Sequence, residues 1–120
     1  MLLNDFYDIE NEQKTDDSYS CKISFNAAHD IFKGHFPTQP VVPGVCMIEI
    51  VKELLQRRLN KVLVLENIST AKFLQLLVPG IDPQITIAWK EVADKYSVNA
   101  VYKNNETAVC KIAGNYKTTA

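Results

Sequence analysis

One short run of this 120-residue chain, His29 to Glu49 (HDIFKGHFPTQPVVPGVCMIE), gathers two histidines, three prolines, two glycines and two carboxylates, of which His35, Gly44 and Glu49 flank or follow the prolines. Pro37, Pro40 and Pro43 each fix φ and push the preceding residue toward extended geometry, so the segment from His35 to Gly44 is predicted to be neither helical nor slack. Rigid loops are where scaffolds place chemistry. Gly44 opens an apolar run, Val45, Cys46, Met47, Ile48, Ile50 and Val51, broken only by Glu49. An imidazole with a reference pKa of about 6.5 is largely neutral near pH 7, and a carboxyl among aliphatic neighbours is pushed up by desolvation. Together they are a pair for proton transfer. A helix start opposes the carboxyl's shift, but it is worth only about 0.3 to 1 kcal/mol against a burial effect of up to about 3 to 5 pKa units. Burial is expected to dominate.

These groups need elements to hold them. Gly44 to about Leu59 is the one helix predicted, apolar all round in its first two turns and then amphipathic through Leu54, Leu55 and Leu59. Arg57 and Arg58 near its end suit the dipole. From Tyr19 to Asn26 the alternation of Tyr19, Cys21, Ile23 and Phe25 with polar residues has the period of a half-buried strand, and it runs into the His29 loop. A weaker strand, Phe6 to Glu12, precedes a polar turn at Thr15 to Ser18. After the helix everything reads as β. Val62 to Leu65 leads to Ile68, and Phe73 to Val78 reaches a Pro79-Gly80 turn. Ile85, Ile87 and Trp89 then alternate with polar residues. A turn at Asp94-Lys95 leads into Tyr96, Val98, Ala100 and Tyr102, and Asn104-Asn105 connects that strand to Ala108, Cys110, Ile112 and Gly114. The economical architecture is α+β, a curved antiparallel sheet of five or six strands wrapped around one central helix, as a single domain over residues 1–120.

A formal net charge of -1 with 47% hydrophobic and 22% charged residues gives no electrostatic reason to expect nucleic acid or an anionic membrane as partner. Cys21, Cys46 and Cys110 are an odd set without ligand spacing and read as reduced packing thiols; Cys46 lies near the helix start, but its apolar neighbours argue for packing. Met1, Leu2 and Leu3 before Asn4 and Asp5 make neither a signal nor a transit segment, and no apolar run approaches the roughly 20 residues of a membrane span. A cytoplasmic location is expected. A chain of this size gains from association, so an oligomer is expected too.

Gly34, His35, Phe36, Pro37, Pro40, Pro43, Gly44, Val45 and Glu49 fill the pattern GHFPxxPxxPGVxxxE. The chain thereby resembles the FabA/FabZ-like 3-hydroxyacyl-acyl-carrier-protein dehydratases, which have the hotdog fold. Lys72-Phe73 with Leu77, Val78, Pro79 and Gly80 is a second, weaker likeness, to the family's KF…PVxPGD segment. The resemblance implies removal of water from a (3R)-3-hydroxyacyl group on acyl carrier protein to give a trans-2-enoyl thioester, in fatty-acid or related lipid or polyene synthesis. His35 would be the base and Glu49 the acid. The free N–H groups of Gly44 and Val45 would bind the thioester oxygen as it gains charge, with Gly44 allowing close approach. It further implies a homodimer, or a higher homo-oligomer, whose sheets join edge to edge and in which His35 of one protomer works beside the partner's glutamate. No metal or organic cofactor is implied.

Bland readings stand beside these. Glu49 could pair with Lys52, and His29, where the commoner dehydratases carry glutamate, reads as structural. Glu53, one turn after Glu49 where the family often has glutamine, either raises the Glu49 pKa or faces water. The N-terminal segment, Asn4, Asp5, Phe6, Tyr7 and Asp8, lacks the family's arginine- and proline-containing stretch, so substrate gating is expected to differ. A hotdog acyl thioesterase and a non-catalytic acyl-binding or complex-forming subunit are the competing functions.

Overall fold

The computed structural model describes residues 1–34 and 40–119. In chain order these form β1 (Tyr7–Lys14), β2 (Ser18–Phe25), α1 (Asp30–Gly34), α2 (Gly44–Leu59), β3 (Leu63–Phe73), β4 (Gln84–Val92), β5 (Lys95–Asn104) and β6 (Thr107–Thr118). The six strands make one sheet in the order β1-β2-β4-β5-β6-β3, every pair antiparallel. The stretch from β2 through both helices to β3 therefore carries the chain from one side of the sheet to its far edge.

The alternating segments do what their period demands. In β2, Tyr19, Cys21, Ile23 and Phe25 are buried, and in β4 Ile85, Ile87 and Trp89 are buried while Gln84, Thr86 and Lys90 face out. Their inward side chains, with Tyr96, Val98, Ala100 and Tyr102 of β5 and Cys110, Ile112 and Tyr116 of β6, form one core with Cys46, Met47, Ile50, Val51, Leu54 and Leu55 of α2. The register aligns Cys21, Ile85, Tyr102, Cys110 and Phe73 in a single row across five strands. From that row the fully buried Tyr102 hydroxyl donates to the Met47 carbonyl at 2.7 Å, fastening the start of α2 to the middle of the sheet. The helix ends at Asn60, which takes the left-handed conformation (φ 54°) and donates its N–H to the Gln56 carbonyl.

Four local expectations are corrected. A one-turn helix, α1, lies between β2 and the proline-rich segment; it is too short to leave a periodic signature. Phe73 to Val78 does not continue as strand: the ladder stops at Phe73, the Leu74 and Gln75 N–H groups both turn onto the Val109 carbonyl, and Leu77 drops into the core. The Leu77 carbonyl then accepts from Val42 N–H at 2.7 Å, just upstream of Pro43. The two later hairpin turns sit one residue off, at Ala93-Asp94 and Asn105-Glu106, with Ala93 (φ 57°) and Asn105 (φ 54°) left-handed; an alanine there gives no compositional cue. Finally, the apolar first turns of α2 are not buried all round, because Val45 is 73% exposed. The Pro79-Gly80 turn is as expected, with Gly80 at φ 100° and Ile81 N–H donating to the Val78 carbonyl. No helix among the described residues is long and apolar enough to cross a membrane.

β3 meets β6 with two register shifts, and Gly114 of β6 lies against them: a Cβ there would stand 2.6 Å from the Asn67 carbonyl oxygen and 3.4 Å from the Ile68 Cα. Both neighbours are backbone, which cannot swing aside. Gly114→Ala is expected to lower stability by about 1 to 3 kcal/mol, read from chemical denaturation midpoints; an unchanged midpoint would show that β3 can move away.

Candidate active site

The site begins where α2 begins. Pro43 takes the N-cap position with extended geometry (φ -64°, ψ 144°), and its carbonyl accepts from the Cys46 and Met47 N–H groups at 3.0 and 3.2 Å. The N–H groups of Gly44 and Val45 precede the first intrahelical donors, and no side chain caps them. Among the described residues, neither N–H has a hydrogen-bond partner. Gly44 itself has a different neighbour from the one expected: a Cβ would lie 2.9 Å from Phe73 Cζ, so the missing side chain admits the Phe73 ring against the helix start. Pro43 and Gly44 thus lie between Val42, held by Leu77, and the ring that ends the sheet's central row.

Glu49 lies on the helix stripe of Val45 and Lys52, not on the stripe of Cys46, Ile50 and Leu54 that enters the core. Its side chain is 39% exposed and stands 3.7 Å from Lys52 Nζ. The expectation of a buried acid is corrected accordingly: exposed Val45 and half-buried Ile48 do not enclose it. The direction of its shift is nonetheless upward. Partial burial is the largest cause and a hydrogen bond with Glu53 the next; Lys52 opposes them, and the negative charge of Glu53 adds to the rise.

Glu53 is the buried carboxyl of this helix, only 3% exposed. Its Oε1 accepts from Leu2 N–H (3.1 Å), Leu3 N–H (2.9 Å) and the Tyr7 hydroxyl (3.1 Å), and its Oε2 accepts from Leu2 N–H (2.9 Å). The Leu2 and Leu3 amides can reach it because residues 2–7 fold into a tight turn. Asn4 is left-handed at φ 68° and donates to the Tyr7 carbonyl at 2.7 Å, while Phe6 N–H donates to the Leu2 carbonyl at 2.7 Å. Of the two readings offered for Glu53, facing water is the one that fails. Helical spacing already carried the signal, since position 53 falls on the buried stripe with 46 and 50; the N-terminal donors had none.

Around this pair stand two tyrosines. Tyr116 is pushed up to about 12, by burial first and then by the nearby Glu49 charge, and burial with Glu53 raises Tyr7. All three cysteines are free and buried; burial raises Cys46 and pushes Cys21 and Cys110 up to about 11, as packing thiols require. His29 serves the scaffold: Nδ1 accepts from Ile31 N–H at 3.0 Å, so Nε2 bears the proton and donates to Asp5 Oδ2 at 3.1 Å, with the ring edge-on to Phe6. His35, Phe36 and Pro37 lie outside the described residues. Gly44, Val45 and Glu49 are brought together on the opening turns of α2.

A carboxyl raised in the folded chain is costlier to ionise there than in the unfolded one. Its contribution to stability is therefore full at acidic pH and is lost as pH rises through the folded value. Denaturation of the Glu49→Gln variant between about pH 4 and pH 8 should show a flatter decline of stability than the parent. Identical slopes would remove Glu49 from this account.

Residues 11–113 match the ApeI-like family, described as ApeI dehydratase. The 3-hydroxyacyl-acyl-carrier-protein dehydratase FabZ of Rickettsia typhi is 35% identical over a 98-residue alignment that covers 74% of this chain and 65% of that protein, so the chain spans just under two thirds of its length. Among solved structures, a chain of the dehydratase heterocomplex ApeI:P from Xenorhabdus doucetiae matches at TM-score 0.77 and 22% identity over 91% of this chain and 96% of that one. A thioesterase superfamily protein from Shewanella loihica matches at TM-score 0.61 and 10% identity over 92% and 90%. At such identities these two matches show the shared hotdog fold alone. With the family match running through β2, α2 and most of the sheet, this chain belongs to the ApeI-like dehydratase family.

Proposed function

We propose that this protein dehydrates a (3R)-3-hydroxyacyl thioester carried on acyl carrier protein to the trans-2-enoyl thioester, in the cytoplasm. One observation carries the reading: a half-exposed Glu49, its carboxyl pushed upward by partial burial and Glu53, stands one turn beyond two amide N–H groups that the helix does not use. His35 takes the proton from the carbon beside the carbonyl, and the electron pair moves onto the thioester oxygen, held by the Gly44 and Val45 N–H groups. Glu49 gives its proton to the 3-hydroxyl. The C–O bond breaks, water leaves and the double bond forms, after which the proton gained by His35 returns to Glu49 through solvent.

Two copies share each site in this reading. β3 is an edge strand that leaves Val64, Ile68 and Phe73 exposed, and exposed Val45 lies at the adjoining helix start. Pairing that edge with a second copy covers these groups and closes the sheet's open side. The family resemblance implies that in such a dimer His35 of one protomer works with the glutamate of the other.

Purified protein with a 3-hydroxyacyl carrier substrate should generate the ultraviolet absorbance of a conjugated enoyl thioester; release of free acid instead would favour the thioesterase that shares this fold. His35→Ala and Glu49→Gln should each lower the rate by about 100-fold or more. Mixing the two inactive variants should restore part of the activity, because exchange of subunits rebuilds one complete site per dimer. Failure to recover activity in a mixture shown to exchange subunits would place both groups in one protomer.

A further inference from the structure

Glu49 and Glu53 stand one helical turn apart, the spacing at which side chains meet, yet they live in different surroundings. Glu49 reaches solvent; Glu53 is sealed beneath the N-terminal turn. The donors around Glu53 are unevenly shared. Among the described residues, Oε1 accepts from Leu2, Leu3 and Tyr7, while Oε2 accepts from Leu2 alone. An oxygen with one bond has room for a second donor, and Glu49, one helical turn away on the same side of α2, is the carboxyl placed to offer it.

We propose that Glu53 is a positioning residue for the acid: clamped by the Leu2 and Leu3 amides and the Tyr7 hydroxyl, it accepts a hydrogen bond from the Glu49 carboxyl and keeps that group a proton donor. The proton stays on the pair until the substrate hydroxyl offers another acceptor. The N-terminal turn becomes part of the catalytic apparatus without touching substrate. Its tie to His29 through Asp5, and to Asn26, whose N–H donates to the Phe6 carbonyl at 2.8 Å, joins it also to the start of the proline-rich segment. This inference rests on Glu49 being the acid of the proposed dehydration.

Other groups act on Glu49 and are accounted for. Lys52 on its own helix draws the proton off, while Glu53 holds it on; Cys46 on that helix, Tyr7 from β1 and Tyr116 from β6 also couple to Glu49. Of these, Glu53 is the one whose position depends on the N-terminal turn.

The test is Glu53→Gln, which keeps the size and an acceptor for the two amides but removes the charge and turns an NH2 toward Glu49. Two measurements are made: titration of the Glu49 carboxyl carbon by 13C NMR, and the pH–rate profile. Both the carboxyl titration and the alkaline limb of the rate should move to lower pH by about one unit. A folded E53Q protein with both unmoved overturns the proposal, since a purely structural role would cost thermal stability and leave the titration in place. Should E53Q fail to fold, Tyr7→Phe decides: withdrawing one donor from Glu53 makes the pair hold its proton more tightly, so the same titration moves to higher pH, and no movement overturns the proposal. The NMR titration needs no substrate. A parent protein that makes no enoyl product therefore sinks the reaction, whereas an active parent with an unmoved titration in the variant sinks this assignment alone.

Discussion

Within its first three turns α2 carries two carboxyls, on a helix whose inner stripe must be apolar to sit against a sheet. A buried carboxyl with no donors would cost several kcal/mol, far more than one aliphatic side chain in its place would gain. The structure resolves this with backbone: the turn at residues 2–7 directs the Leu2 and Leu3 amides at Glu53, and the Tyr7 hydroxyl completes the set. Helix, first strand and N-terminal turn consequently depend on one another. Loosening any of them leaves either an unpaired carboxyl or unpaired amides in the interior, each a penalty of about 1 to 3 kcal/mol or more.

A second constraint fixes the helix along its axis. The row Cys21, Ile85, Tyr102, Cys110 and Phe73 crosses the sheet beneath the first turns of α2, and two members of it grip the helix backbone. Tyr102 bonds the Met47 carbonyl, and the Phe73 ring fills the place of a side chain at Gly44. The amides proposed to bind the substrate oxygen are thereby referenced to the sheet and not to the loop before them. That is the arrangement a preorganised donor site needs, because positions set by packed strands are held more tightly than positions set by loops.

Much of this was legible in the residues. The extents of α2 and of β2, with its inward face, follow from periodicity, and the GHFPxxPxxPGVxxxE pattern marks the family that the match over residues 11–113 establishes. What periodicity could not deliver was whatever depends on partners distant in sequence. Glu49 and Glu53 are both carboxyls within an apolar run, and an average over neighbours assigned burial to the first. Their angular positions on the helix assign it to the second. The clamp on Glu53 comes from main-chain N–H groups some fifty positions away, and amides have no letter in a sequence. In the same way, Leu77 looked like strand because it is apolar in an apolar neighbourhood, whereas it is buried after the ladder has ended.

The separation of the two carboxyls also bears on what an acid in such a site must do. A carboxyl sealed in the core would hold its proton but could not deliver it, and one fully in water would deliver it but would not hold it near neutral pH. Glu49 lies between these limits, with more than a third of its side chain open to solvent and Lys52 tending to discharge it. Partial burial is the largest cause of the Glu49 rise, and the open third of the side chain limits it. A second carboxyl fixed one turn deeper adds to it: it is shielded from solvent and its position is set by backbone donors. In the proposed mechanism, a deep neighbour in place of depth favours the protonated form of Glu49 while leaving its carboxyl open to the substrate hydroxyl.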